Sequence, residues 1–381
     1  MTSIRDIIRK RFTAAKPLET GIYHYIAPEY AEFPYRLHLR IEPDGDGILI
    51  IDASTVLHLN QTATEYAYHL VKETPMDVVV QQMGGRYDIS KERIRTDFQD
   101  FKDRIFTLID IPDLDPVTFL DLDRETPYSG KISAPYRLDC ALTYQLPTGI
   151  NPSVAPTKRV DRELTTEEWK IIIDKAWQVG IPHIVFTGGE PTLRDDLVEL
   201  ISHAETNGQV TGLLTDGIKL SDLDFFNTLL QSGLDHLMVV LQSEDENAWK
   251  ALDIILPEDI FTTVHLTLNS ENLDQISREL DRLVEIGANA ISLSNTGPEL
   301  DEALQNVRDY VAELQLPLVW DLPVPYSERN PVSLETEESE YMDGAGRAWL
   351  YIEPDGDVLP SQGTNQILGN FLRDDWETIW K

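Results

Sequence analysis

The stretch TGGEPTLR, residues 187–194, is the junction on which the reading of the fold turns. It follows a β-branched run that ends at Thr187 and precedes a helical pattern over about 195–206, so it reads as the end of a strand and the mouth of the next helix. Gly188 and Gly189 permit positive φ and a close approach of backbone to a ligand, while Glu190 offers a carboxylate to an ammonium or hydroxyl group. Outward from this point the same alternation repeats. Strands are expected near 137–145, 183–187, 210–215, 236–242, 261–268 and 290–295, and helices near 166–178, 195–206, 221–232, 246–255, 272–286 and 299–314. Thr165-x-x-Glu168 is a capping box that marks the first of these helices. Six βα units predict an α/β fold with a parallel sheet, either a barrel or doubly wound. In both, ligands collect at the carboxyl ends of the strands, where Gly-Gly-Glu-Pro lies.

The flanks have a different grammar. Residues 35–41 (YRLHLRI) and 47–52 (GILIID) alternate around a Pro-Asp-Gly turn, which predicts a β-hairpin. A short run at 55–59 (TVLHL) precedes helical patterns at about 61–73, 75–83 and 91–108, so the first 110 residues read as an α+β winged-helix-like module. Residues 111–135, rich in proline and acid, read as a linker. The tail offers a second hairpin around residues 348–359 and a short helix at 374–380.

Charge and cysteine content narrow the function. The 381 residues carry 32 Lys+Arg against 66 Asp+Glu, a net charge of −34. Residues 1–110 hold 14 basic and 17 acidic groups, a net of −3, so nearly all of the excess lies in the remainder. A surface that negative repels phosphate backbones and anionic lipid, which argues against nucleic acid and membrane as partners. No apolar run approaches the roughly 20 residues of a membrane span, and MTSIRDIIRKRF lacks the apolar core of a signal peptide, so a cytoplasmic location is expected. One cysteine, Cys140, cannot supply a disulfide or a cysteine-held metal cluster. It shares an apolar strand face with Leu138 and Leu142, which predicts a buried, inert thiol. No HxH or HxxxH pair occurs among the eight histidines. His183 and His236 open strands, away from the ligand end, and His265 alternates with Thr263, Thr267 and Asn269, a set expected to line the sheet's inner face.

With these motifs in hand, residues 136–320 resemble the radical S-adenosylmethionine superfamily, whose partial (β/α)6 barrel uses a GGE motif to hold the amino group of the nucleoside. GLLTDG at 212–217 looks like the family's third strand with its ribose-side turn, and Leu241-Gln242-Ser243 like the end of the fourth. The resemblance implies a partial TIM-like barrel over residues 136–325 and a cofactor site formed by Gly188, Gly189, Glu190, Pro191, Thr215, Asp216 and Ser243. Residues 326–381 resemble the SPASM or twitch extension of peptide-modifying members. The opening residues, 1–110 in all, resemble the PqqD-type domain that recognises leader peptides of ribosomally made, modified peptides. That implies a guest peptide added along the edge Thr55, Val56, Leu57, His58 and Leu59, beside the helix at 91–108.

The departure from the family is equally specific. Members carry CxxxCxxC after the first strand, three thiolates that hold a 4Fe-4S cluster. Aligned on Leu142-Thr143-Tyr144, those positions are Leu146, Ile150 and Ser153; an alternative register gives Cys140, Tyr144 and Pro147. In the tail, Asp343 and Ser361 stand where auxiliary-cluster cysteines are expected. The expectation is a pseudoenzyme without an iron-sulfur cluster, binding S-adenosylmethionine weakly or not at all, and serving as peptide-binding partner or scaffold to a modifying enzyme. The alternative is a cluster-independent enzyme working in the GGEP pocket. A DNA-binding regulator ranks below both, because the helix at 91–108 interleaves Lys91, Arg93 and Arg95 with Glu92, Asp97 and Asp100.

Overall fold

A computed structural model describes residues 16–28, 31, 34–111, 114, 116–120, 132–320, 322–327 and 344–381. The chain divides into two compact units, Met1–Ser133 and Ala134–Lys381.

In the first unit, strands β1 (Gly21–Ile26), β2 (Arg36–Ile41), β3 (Gly47–Ile51) and β4 (Thr55–Leu59) form one antiparallel sheet in that order. The expected hairpin is β2–β3, closed by a turn with Gly45 at φ +94°. Three helices follow, α1 (Gln61–Val71), α2 (Met76–Arg86) and α3 (Lys91–Asp110). Side chains of Asn60 and Ser90 cap the first and third, accepting from the N–H groups of Ala63 (3.0 Å) and Arg93 (3.2 Å). Leu39, Leu49, Leu57, Val79, Ile94 and Phe98 close the core between sheet and helices. The expected linker is not featureless, since Pro116–Leu120 forms a helical turn, α4.

The second unit is built on a nine-stranded sheet. Strands β5 (Arg137–Thr143), β6 (His183–Gly188), β7 (Val210–Thr215), β8 (His236–Val240), β9 (Phe261–Leu268) and β10 (Ala290–Asn295) lie parallel and in sequence order. A doubly wound sheet would reverse its order part-way; this one does not, so it is the partial barrel. Helices α5 (Thr166–Gln178), α6 (Leu197–Asn207), α7 (Leu223–Gln231), α8 (Glu246–Ile255), α9 (Ile276–Glu285) and α10 (Asp301–Glu313) separate or follow these strands. The capping box forms as expected, Thr165 and Glu168 satisfying each other's backbone N–H.

Alternation gives the sheet two faces. Ile184, Phe186, Leu213, Leu237 and Val239 pack with Cys140 under the helices, whereas Val185, Leu214 and Met238 pack against Leu322 and Val324. Cys140 is fully buried, and burial pushes its thiol well above the usual range. The tail is not a separate appendage: β11 (Trp349–Ile352) adds to the barrel sheet parallel to β5, and β12 (Asp357–Leu359) and β13 (Gly369–Asn370) continue it. A short helix, α11 (Trp376–Ile379), ends the chain. Ser361 is described, whereas Asp343 lies outside the described residues.

Candidate functional site

β6 ends where backbone crowds backbone. Gly188 has φ +131°, and a Cβ there would stand 2.2 Å from the Thr143 carbonyl oxygen; one on Gly189 would stand 2.2 Å from that of Gln145. Those carbonyls accept the N–H groups of Gly189 (2.8 Å) and Glu190 (2.9 Å). The close approach that the glycines allow is therefore made by the chain itself, at the end of β5.

Glu190 is 3% exposed and its carboxylate is spent on neighbours. Oε1 accepts from the Thr192 N–H (2.9 Å), the Thr192 hydroxyl (2.5 Å) and the Thr215 hydroxyl (2.8 Å), and Oε2 accepts from the Asp216 N–H (2.8 Å). One side chain thus ties the end of β6 to the end of β7. Asp216 accepts the Ile218 N–H at 2.9 Å, and burial, reinforced by the charge of Glu190, pushes its carboxyl up to about 7.

Beside this pair lies a cleft of about 110 Å³. Leu146, Pro147 and Ile150 line it together with Gly189, Glu190 and Asp216, with Val240 and Gln242, and with Pro325, Tyr326 and Ser327. Tyr326 is anchored by its N–H, which donates to the Gly188 carbonyl (2.9 Å), and its ring meets Tyr144 edge-on. Of the site residues expected from sequence, Gly189, Glu190 and Asp216 line the cleft. Gly188, Pro191 and Thr215 act behind them, Thr215 through Glu190. Ser243 is not among the lining residues; its carbonyl accepts the Trp249 indole N–H (2.8 Å), and Gln242 lines the cleft instead. Tyr326 was invisible to sequence reasoning, because nothing in residues 322–327 signals a return to β6.

The cluster test is a matter of donor chemistry. Leu146 and Ile150, the positions aligned with the first two family cysteines, form an apolar wall of this cleft, and the N–H of Ser153 is bound to Asn151 in a 3-10 turn. In the alternative register Cys140 faces the helices and the Tyr144 hydroxyl donates to Glu353 (2.9 Å). No thiol lines the cleft, so its residues do not fit a thiolate-held cluster. Among the described residues no group of three His, Cys, Asp or Glu side chains is placed to hold a metal ion.

In the first unit, residues Thr55, Val56, Leu57, His58 and Leu59 form β4, the last strand of its sheet. Leu57 and Leu59 are buried and His58 is exposed. Residues 22–26 belong to β1, at the other end of the strand order. A cleft of about 340 Å³ does lie beside α3, at Phe98, Lys102 and Phe106, but its sheet-side walls are Tyr25, Tyr35 and Leu37, and no residue of β4 lines it.

Comparison with known proteins agrees with this geometry. Residues 140–266 match the radical SAM superfamily. This segment is a radical SAM domain. A PqqA peptide cyclase from Streptomyces rochei is 28% identical over 288 residues, covering 65% of this chain and 76% of that protein. Its counterpart from Bradyrhizobium diazoefficiens is 29% identical over 242 residues, covering 55% and 62%. Among solved structures, Streptococcus suis SuiB bound to S-adenosylmethionine superposes with a TM-score of 0.59 at 16% identity, over 94% of this chain and 88% of SuiB. SuiB bound to its precursor peptide SuiA gives 0.58 at 15% identity, over 90% and 87%. At such identities the superpositions establish the shared fold of the radical SAM domain and its flanks. No described helix is long and apolar enough to cross a membrane.

Proposed function

We propose that this chain is a radical SAM-fold protein that has lost its iron-sulfur cluster and serves as a peptide-binding partner or scaffold in the modification of ribosomally made peptides. The observation that carries the reading is the apolar wall at Leu146 and Ile150, where the family places thiolates. Losing the metal chelate removes several kcal/mol of anchoring, so S-adenosylmethionine binds weakly at most. Peptide binding is supported by the relatives named PqqA peptide cyclase, by the SuiB–SuiA complex and by the place of β4 at the edge of its sheet among the described residues. On this reading residues 1–110 are a PqqD-like recognition domain and residues 326–381 a cluster-free twitch-like extension, in a cytoplasmic protein.

Anaerobic reconstitution followed by iron and sulfide assay tests the proposal. The expected result is neither element above background, and a stoichiometric cluster with absorption near 400 nm, roughly where thiolate clusters absorb, sinks it. A second reading, a cluster-independent enzyme, draws support from Asp216, whose raised pKa of about 7 suits proton transfer in the same cleft.

A further inference from the structure

The cleft of about 340 Å³ in the first unit is used by neither the GGEP site nor the edge of β4. Its walls are largely apolar, Leu37 and Leu70 standing with the rings of Tyr35, Phe98 and Phe106. Those rings hold one another: the Tyr35 centroid lies 5.7 Å from that of Tyr25 and 6.1 Å from that of Phe106, which it meets edge-on. Three polar side chains, His69, Glu73 and Lys102, line the same space. Lys102 is half-buried, its Nζ 5.9 Å from the Phe98 centroid, and Glu73 is exposed. Neither closes an ion pair with the other or with any described residue. His69 is 4% exposed; Nδ1 lies 3.3 Å from Thr74 Oγ1, and Nε2 has no partner among the described residues.

We propose that this cleft binds one free α-amino acid with an aromatic side chain. Its two uncompensated charges match the two ends of a zwitterion, Lys102 taking the carboxylate and Glu73 the ammonium. The helix ends reinforce that polarity. α1 finishes at the cleft, which places the negative end of its dipole near Glu73, and α2 starts there with its positive end, where Pro75 supplies no side-chain cap. With the Thr74 hydroxyl donating to Nδ1, the neutral His69 ring carries its proton on Nε2 and adds a donor for the carboxylate. Burial keeps that ring neutral by lowering its pKa. The aromatic walls favour an aromatic guest, through edge-on and offset contacts.

Two observations separate this site from an ordinary crevice. Glu73 has φ +48°, in the left-handed region where glycine or asparagine usually ends a helix. A glutamate there costs stability that glycine would not, so the turn by itself does not call for its side chain. The volume lies at the small end of the range for ligand pockets, roughly 300–1,000 Å³, which suits one amino acid rather than a stretch of peptide. The site is independent of the cluster question and of strand addition at β4, so its failure would leave the function proposed above untouched.

The test is calorimetry of the full chain with L-phenylalanine. The expected result is one equivalent bound with a millimolar or lower Kd, and no binding of L-alanine. Phenethylamine, which lacks the carboxylate, and 3-phenylpropionate, which lacks the ammonium, should each bind about 10-fold or more weakly, the scale of one lost charged contact. Lys102→Met should weaken L-phenylalanine by the same factor and leave phenethylamine unchanged. Glu73→Gln should weaken L-phenylalanine likewise and leave 3-phenylpropionate unchanged. Glu73→Gly should raise the melting temperature while weakening L-phenylalanine, which separates the side chain's part in binding from the turn's. Thermal melts report the folding of each variant. No binding of L-phenylalanine at millimolar concentration, equal binding of L-alanine, or an affinity that neither Lys102→Met nor Glu73→Gln changes overturns the proposal. So does a leader-type peptide that protects the amides of the cleft from exchange when L-phenylalanine does not.

Discussion

The two sheets treat their hydrogen-bonding groups in opposite ways. In the antiparallel sheet of the first unit, β4 is the last strand of the order β1-β2-β3-β4 among the described residues, so it stands at an edge of that sheet. In the parallel sheet of the second unit, the strand ends consume their own polar groups: Glu190 takes four donors, and Gly188 hands its carbonyl to Tyr326. The first is an arrangement that an added strand, such as the peptide proposed above, would complete. The second is nearly complete already, with one carboxyl, Asp216, held near neutrality beside an apolar wall.

The sharpest way to break this comparison is to disturb the self-satisfied end of β6. Gly188→Ala places a Cβ 2.2 Å from a backbone oxygen at a φ that side chains rarely adopt. The combined clash and strain should cost about 3–5 kcal/mol, read as a drop in urea midpoint. A loss under ~1 kcal/mol would mean that the junction is looser than the hydrogen bonds imply.

Glu190→Ala comes next, because it strands the buried N–H groups of Thr192 and Asp216 and should cost about 2–4 kcal/mol. A loss under ~1 kcal/mol would instead mean that the fold does not depend on the carboxylate. Urea melts of this variant decide between a ligand-holding carboxylate and a structural one.

Smaller effects follow from two buried titrations of opposite sign. His183 and His236 meet at Nε2···Nε2 2.8 Å, and burial lowers both, His236 to about 4. The unfolded imidazole binds its proton below about 6.5, so this pair destabilises the fold as pH falls from 6.5 toward 4. Asp216 works the other way: the unfolded carboxyl loses its proton near 3.8 while the folded one keeps it to about 7, so stability falls as pH rises across that window. Removing Asp216 as Asp216→Asn should therefore stabilise the protein relative to wild type at pH 7 but not at pH 3.5. Equal differences at both pH values would refute the shift.

The smallest effect concerns the edge strand β4. Val56→Glu with His58→Glu should leave the melting temperature of the first unit within a degree or two and weaken a bound leader-type peptide by about 1 kcal/mol, through charge placed on the guest strand's neighbours. Unchanged peptide affinity by calorimetry would direct attention to the aromatic cleft at Tyr25, Tyr35 and Phe98.

Much of this architecture is legible in local sequence, for identifiable reasons. The Thr165–Glu168 box, the caps at Asn60 and Ser90, and the Pro-Asp-Gly hairpin are interactions among residues a few positions apart, so composition at fixed spacing specifies them. Periodicity likewise sorted Cys140, Leu138 and Leu142 to the helix side, and the side-chain repeat of two placed His265 with Thr267. Which groups meet across long stretches of chain carries no such signature. Leu322 and Val324 filling the barrel face, Tyr326 closing on Gly188, the tail hairpin joining β5, and the choice of barrel over doubly wound sheet are decided by the order in which strands pair. The sequence by itself determined the elements, their faces and the missing thiols. Tertiary structure alone decided that Glu190 is satisfied by Thr192, Thr215 and Asp216, because a buried carboxylate takes whatever donors the packed strand ends bring within reach.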